Sequence, residues 1–223
     1  MTVTSNQPAT SARRPGRPAG TVAESRQREQ LLLAAAAHFA RHGFEGASLR
    51  AIAREAGLAH GLIRHYFGAK DAFWQATADL LFEQLNAAVG AALAQVDMND
   101  PVARFQAQVR AVVHNSARIP HLAGFVMQAG LTGGPRYDWL VERHLRPAYQ
   151  FSLQPLHVLR QQGRAADLDP HFVFILATNA AIGPFAQGAN SRALAGVDLT
   201  DEKTADAYAD VLIATLKQGV LRG

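Results

Sequence analysis

Ser48-Leu49-Arg50-Ala51-Ile52-Ala53-Arg54-Glu55-Ala56-Gly57-Leu58-Ala59-His60-Gly61-Leu62-Ile63-Arg64-His65-Tyr66-Phe67 is the stretch that decides the fold. Two short helical patterns flank Gly57. Upstream, across Gly43-Phe44, lies a longer apolar run from Leu31 to Phe39, and downstream the segment closes on Lys70-Asp71. Two short helices joined by a glycine turn, close behind a longer helix, predict a helix-turn-helix. Such a unit lays its second helix in the major groove of DNA.

The first helix is expected over Glu24 to Arg41, because Leu32, Ala35, Ala36 and Phe39 recur at three- and four-residue spacing. Gly43 suits the left-handed position that ends it. Ser48 is placed to cap the second helix and to reach a phosphate. Ile52, Ala53 and Ala56 form that helix's inner face, and Gly57 makes the turn. The recognition helix is expected over about Ala59 to Tyr66. Ile63 and Phe67, four apart, face inward, and the pairs His60/Arg64 and Gly61/His65 face outward. Gly61 permits close approach to a duplex. Arg64 suits guanine O6 and N7 or a phosphate. His60 and His65 suit base acceptors or phosphates. Leu62 suits a thymine methyl or the core. Lys70, at the next helix N-terminus, suits a phosphate.

The segment from Arg28 to Phe73 resembles the TetR family of one-component transcriptional regulators. Phe39, Gly43, Phe44, Ser48, Ile52, Ala53, Ala56, Gly57, Gly61, Ile63, Phe67 and Lys70 fall where that family's pattern places them. Four positions depart from it. Ala59 and Ala69 stand where capping Ser or Thr residues are usual, Arg64 replaces a phosphate-touching Tyr, and His38 replaces a Leu. A missing cap costs ~1 kcal/mol. The resemblance implies an all-α chain with an N-terminal three-helix DNA-binding domain and a larger C-terminal helical domain for ligand binding and dimerisation.

Charge is distributed accordingly. Residues 1–70 hold ten Lys/Arg against four Asp/Glu; the remainder holds twelve against fourteen. A basic N-terminal third on a mildly acidic remainder suits a polyanion-binding module joined to something else. Residues 1–22 read as a disordered basic arm, 23–70 as the helix-turn-helix domain and 71–223 as the helical domain. Within the arm, Arg13-Arg14-Pro15-Gly16-Arg17-Pro18 resembles an AT-hook core. Arg14 and Arg17 then follow a narrow minor groove, or else belong to a solvated tail that only adds charge.

The chain has no cysteine, which excludes disulfides and thiolate zinc sites. No secretory signal is visible, and the expected location is cytoplasmic. Residues 171–191 carry no formal charge with His neutral, but Thr178, Asn179, Gln187, Asn190 and Gly183-Pro184 favour a buried interface helix over a membrane span. His38 and His42 lie i,i+4 without a Glu-flanked zinc motif, so no metal or cofactor is expected. No nucleophile elbow, phosphate loop or dinucleotide fingerprint occurs.

Beyond Asp71 the pattern predicts helices at 71–95, 101–118, 120–129, 136–162 (interrupted near Pro147 and Pro155), 169–185 and 201–221, with a loop over Gly188 to Thr200. Phe105, His114, Arg118, Phe125, Gln128, Trp139, His144, Tyr149 and Asn179 are candidate linings of an effector pocket. An apolar or amphipathic small molecule suits them, although Arg110, Arg118 and Arg143 equally suit an anion. The resemblance places a two-fold interface on the last two long helices, at Phe172, Ile175, Ile182, Phe185, Tyr208, Leu212 and Leu216. The function implied is a homodimeric DNA-binding regulator, a repressor released from a palindromic operator by an effector. The competing reading is a helical enzyme or carrier without DNA binding, and an activator would look the same in sequence.

Overall fold

The computed structural model describes residues 22–220. Arg14 and Arg17 of the proposed arm lie outside the described residues. Among the described residues there are helices and no extended strand, in agreement with the all-α expectation. In chain order they are α1 (Val22–Gly46), α2 (Leu49–Glu55), α3 (Gly61–Phe67), α4 (Lys70–Leu93), α5 (Pro101–Arg118), α6 (His121–Thr132) and α7 (Pro135–Leu140). A π-helical turn (Val141–Leu145) leads into α8 (Arg146–Gln161), followed by α9 (Pro170–Ala186), α10 (Gly188–Ala195) and α11 (Glu202–Val220).

Helix starts follow the capping residues. Ser48 Oγ accepts from the Ala51 N–H (3.4 Å), Asp100 from the Val102 N–H (2.9 Å) and Asp169 from the His171 N–H (2.8 Å). In α5 and α9 a proline follows the cap, at a position whose amide would have no helical partner. The regular part of α1 stops at Gly43, whose φ of 65° and ψ of −176° suit a residue without Cβ.

Two expectations about the C-terminal half are corrected. Gly188 to Thr200 is not wholly loop, since Gly188–Ala195 is helical and Gly196 ends it in the left-handed conformation. Pro155 lies inside α8 without interrupting it; the break comes at the π turn just before Pro147. A widened turn at that point accommodates a residue that has no amide to donate.

Two apolar cores result. The first unites Leu31, Leu32, Phe39, Ile52 and Ile63 with Phe73, Trp74 and Leu81 of α4, Phe125 of α6 and Leu140 of α7. It therefore runs across residue 70 and joins the helix-turn-helix to the following helices. Phe39 meets Phe73 and Phe125 edge-on, and Trp74 stacks on Phe125 at 4.9 Å. Each such pair adds ~0.5–1.5 kcal/mol beyond area burial. The second core joins α5, α8, α9 and α11 through Phe105, Val113, Leu156, Val173, Phe185, Ala209 and Leu212. The helix α6 crosses α1 at Gly124, where an added Cβ would sit 3.1 Å from Ala40 Cβ. Among the described residues, no single helix is long and apolar enough to cross a membrane.

Candidate nucleic-acid interface and ligand cavity

The helix α3 is held from behind and left bare in front. Ile63 is buried in the first core, and Leu62, Tyr66 and Phe67 pack against it. Tyr66 donates its hydroxyl proton to Gln27 Oε1 (2.9 Å), and the Arg28 guanidinium lies over the Phe67 ring. Both contacts fasten α3 to α1. On the opposite side Ala59, His60, Gly61, Arg64 and His65 are exposed. Leu62 belongs with the packed face, so of its two readings the structure offers packing.

The start of α3 lacks a side-chain cap, as Ala59 implied. His60 takes the capping position with helical φ and ψ and makes no capping hydrogen bond. The Leu62 and Ile63 amides instead donate to the Ala59 and His60 carbonyls, at 3.0 and 3.2 Å. The turn before it rests on Gly57, at φ 66°. An added Cβ at Gly61 would meet nothing within 4 Å, so the protein itself does not require glycine there.

His38 proves structural. It is buried, its Nε2 lies 3.0 Å from Glu55 Oε1, and Arg41 approaches the same carboxylate at 3.7 Å. The three side chains tie the end of α2 to α1. Lys70 also has work within the fold: its Nζ donates to the Glu45 carbonyl (3.3 Å) and lies over the Phe44 ring at 4.7 Å. Arg136 of α7 stacks on the same ring at 3.5 Å and pairs with Glu45 (2.8 Å) and Asp71 (3.1 Å). Arg136 thus clamps α7 to the ends of α1 and α4, a role its isolated position in the sequence did not reveal. Arg50 and Arg54 of α2 are exposed and make no ion pair among the described residues. The charge asymmetry counted them, but no motif singled them out.

The helical domain contains a largely apolar cavity of about 420 Å³ between α4, α5, α6, α8 and α9. Of the candidate pocket residues, Phe105 and Tyr149 line it. His114 and Arg118 line a separate open groove between α4, α5 and α11, where His114 contacts Asp206 at 2.8 Å. Phe125 and Gln128 border a smaller cleft behind Gly43 and Phe44. Trp139 packs edge-on against Trp74 and against His144. His144 stacks on Phe82 and contacts Asp79 at 2.9 Å. Burial pushes its pKa below the usual histidine value against the opposing pull of Asp79. His121 is likewise depressed, by burial and then by the charge of Arg41. Asn179 is exposed and donates to the Ile175 carbonyl at 2.9 Å. The periodicity of α5 could not separate these sites, because both of its faces carry polar residues.

The candidate interface residues divide in the same way. Phe185 and Leu212 are buried in the second core, Tyr208 and Leu216 pack against it, and Ile182 borders the 420 Å³ cavity. Tyr208 donates to the Ala180 carbonyl at 2.6 Å, and burial raises its pKa. Phe172 and Ile175 are exposed, as are Leu176 on the same helix and Val211 on α11.

Residues 31–77 match the family model described as bacterial regulatory proteins, tetR family. Relatives include the HTH-type transcriptional regulator BetI of Yersinia pestis (strain Pestoides F), 40% identical over 81 residues, 36% of this chain and 41% of that protein. The BetI of Pectobacterium carotovorum (strain PC1) is 38% identical over 84 residues, 38% of this chain and 43% of that protein. The match thus spans about two fifths of the length of these curated relatives. The fold extends further. The ketosteroid transcriptional regulator KstR2 of Mycobacterium tuberculosis superposes with a TM-score of 0.67 at 18% identity, over 88% of this chain and 96% of that one. The TetR family regulator PfmR of Thermus thermophilus gives 0.64 at 20% identity, over 88% and 98%. The helix-turn-helix segment is thus similar to that of the TetR family of bacterial regulatory proteins, and the all-helical fold is shared over most of the chain with the two solved regulators.

Proposed function

We propose that the protein is a homodimeric transcriptional repressor whose α3 enters the DNA major groove and whose 420 Å³ cavity binds the releasing effector. The observation that carries the DNA reading is the two-sided α3. Its packed side fixes its orientation, while His60, Gly61, Arg64 and His65 are exposed together. Ser48, Ala59, Arg50 and Arg54 extend that surface, and an ammonium such as that of Lys70 has three donors, leaving capacity for a phosphate beside its bond to Glu45. Dimerisation uses the exposed apolar strip of Phe172, Ile175, Leu176 and Val211. Two recognition helices related by a two-fold axis then reach half-sites about 34–36 Å apart.

Coupling runs through α6. Leu122, Ala123 and Val126 face the cavity, whereas Phe125 belongs to the helix-turn-helix core and Gly124 abuts Ala40 of α1. An occupant that displaces α6 shifts α1 and the spacing of the two α3 helices. By linkage, operator DNA weakens effector binding by the same factor, ~1–3 kcal/mol. The test is fluorescence anisotropy with duplexes from the intergenic region beside the gene. We expect saturable binding that weakens steeply with salt, with a log–log slope of several phosphates. Salt-independent or absent binding to every such duplex contradicts the proposal.

A further inference from the structure

We infer that the cavity selects an uncharged, mostly apolar effector carrying a carbonyl or ester oxygen that accepts a hydrogen bond from Gln108. This inference rests on the reading of the cavity as the effector site. At about 420 Å³ the space falls within the ~300–1,000 Å³ range of small-molecule pockets. Its walls are chiefly aliphatic and aromatic, with Phe82, Phe105 and Phe174 among them.

The polar inventory is what narrows the class. Among the described residues no carboxylate lines the cavity, and the one charged lining residue is Arg146. That guanidinium is already committed to Glu142, through Nε at 3.0 and 3.1 Å and Nη2 at 2.6 Å, which neutralises it. Tyr149 is likewise occupied, by His171 Nδ1. A charged ligand would lose its hydration here and gain no counter-charge. Gln108 differs from these groups. It is only 6% exposed, it lines the cavity, and its Nε2, enclosed and almost without accessible surface, has no hydrogen-bond partner among the described residues. A buried unpaired amide donor destabilises the empty protein and rewards a ligand that supplies an acceptor. Ser152 and Thr178 offer hydroxyls at the same cavity, so a second oxygen on the ligand is accommodated.

Four probes that share a ten-carbon chain, each below its aggregation limit, test this: methyl decanoate, decanoate, decyltrimethylammonium and decane. Each is titrated into the full-length protein by calorimetry, and operator release is followed in parallel. We expect methyl decanoate to bind at least tenfold more tightly than the two ions and more tightly than decane. In Gln108→Leu its advantage over decane falls roughly tenfold, the scale of one lost hydrogen bond, while decane binding is unchanged. Thr178→Val, which leaves the Gln108 donor in place, retains most of the advantage and serves as a control for general loss of packing. Preferential binding of either ion, an ester indifferent to Gln108→Leu, or binding of none of the four overturns the inference. Operator affinity without any probe, measured on the same preparations, reports separately on the regulator reading.

Discussion

Arg64→Ala lowers operator affinity by ~1–3 kcal/mol, the range for a lost base or phosphate contact, with no change in thermal stability. The stability half of that expectation follows from the structure, because Arg64 is exposed and its side chain holds nothing in either core. The affinity half follows from its place on the open side of α3. Gly61 supplies a complementary variant. A Cβ there meets no protein atom, and glycine is among the least favourable helix residues, so Gly61→Leu leaves the fold intact or slightly stabilised. If the helix lies against a duplex, the added side chain clashes with it, and binding is lost. Adding His60→Ala and Lys70→Ala to Arg64→Ala removes binding altogether at moderate salt. Lys70→Ala also releases the Glu45 carbonyl and the Phe44 ring, so its variant alone is read together with a melting curve. Unchanged affinity in both Arg64→Ala and Gly61→Leu, measured by anisotropy, removes α3 from the interface.

The second large effect comes from outside the helix-turn-helix. Phe125→Ala costs ~3–5 kcal/mol of stability, as expected for a fully buried phenylalanine. Phe125 is 1% exposed, stacks on Trp74 and meets Phe39 edge-on, so its removal hollows the core under α1. Chemical denaturation followed by tryptophan fluorescence measures the loss, since Trp74 lies in contact with the site. Loss of DNA binding accompanies loss of stability, although Phe125 is more than fifty residues from α3 in sequence. A cost below about 1 kcal/mol would show that the first core is not continuous across α4 and α6, and the coupling route through α6 would fall with it.

How far the sequence carries the reading differs between the two halves. In the helix-turn-helix, glycines, the Ser48 cap and a four-residue apolar spacing each act locally, so α2, Gly57 and the inward face at Ile63 are legible without a partner. The start of α3 is legible to within two residues; the absent cap at Ala59 moves the first regular residue to Gly61. In α9 the same method loses its phase. That helix is apolar around most of its circumference, so periodicity cannot separate Val173 and Phe185, which are buried, from Phe172 and Ile175, which are exposed. The candidate pocket residues are alike in being aromatic or polar. Their grouping depends on which face of α5 each neighbour covers, and that is a tertiary fact. Phe105 and Gln108 join residues of α6 and α8 around the main cavity, whereas His114 and Arg118 turn to the groove beside α11. Gly188 to Ala195 has the composition of a loop, and its helix is visible only in three dimensions.

The most direct test of the central claim is guanine-N7 methylation protection on the duplex selected by the purified protein from random sequence. The account predicts protected major-groove guanines in two inverted half-sites one helical turn apart, with protection lost in Arg64→Ala. A single unsymmetrical protected patch, or a pattern that survives Arg64→Ala and Gly61→Leu unchanged, would contradict it.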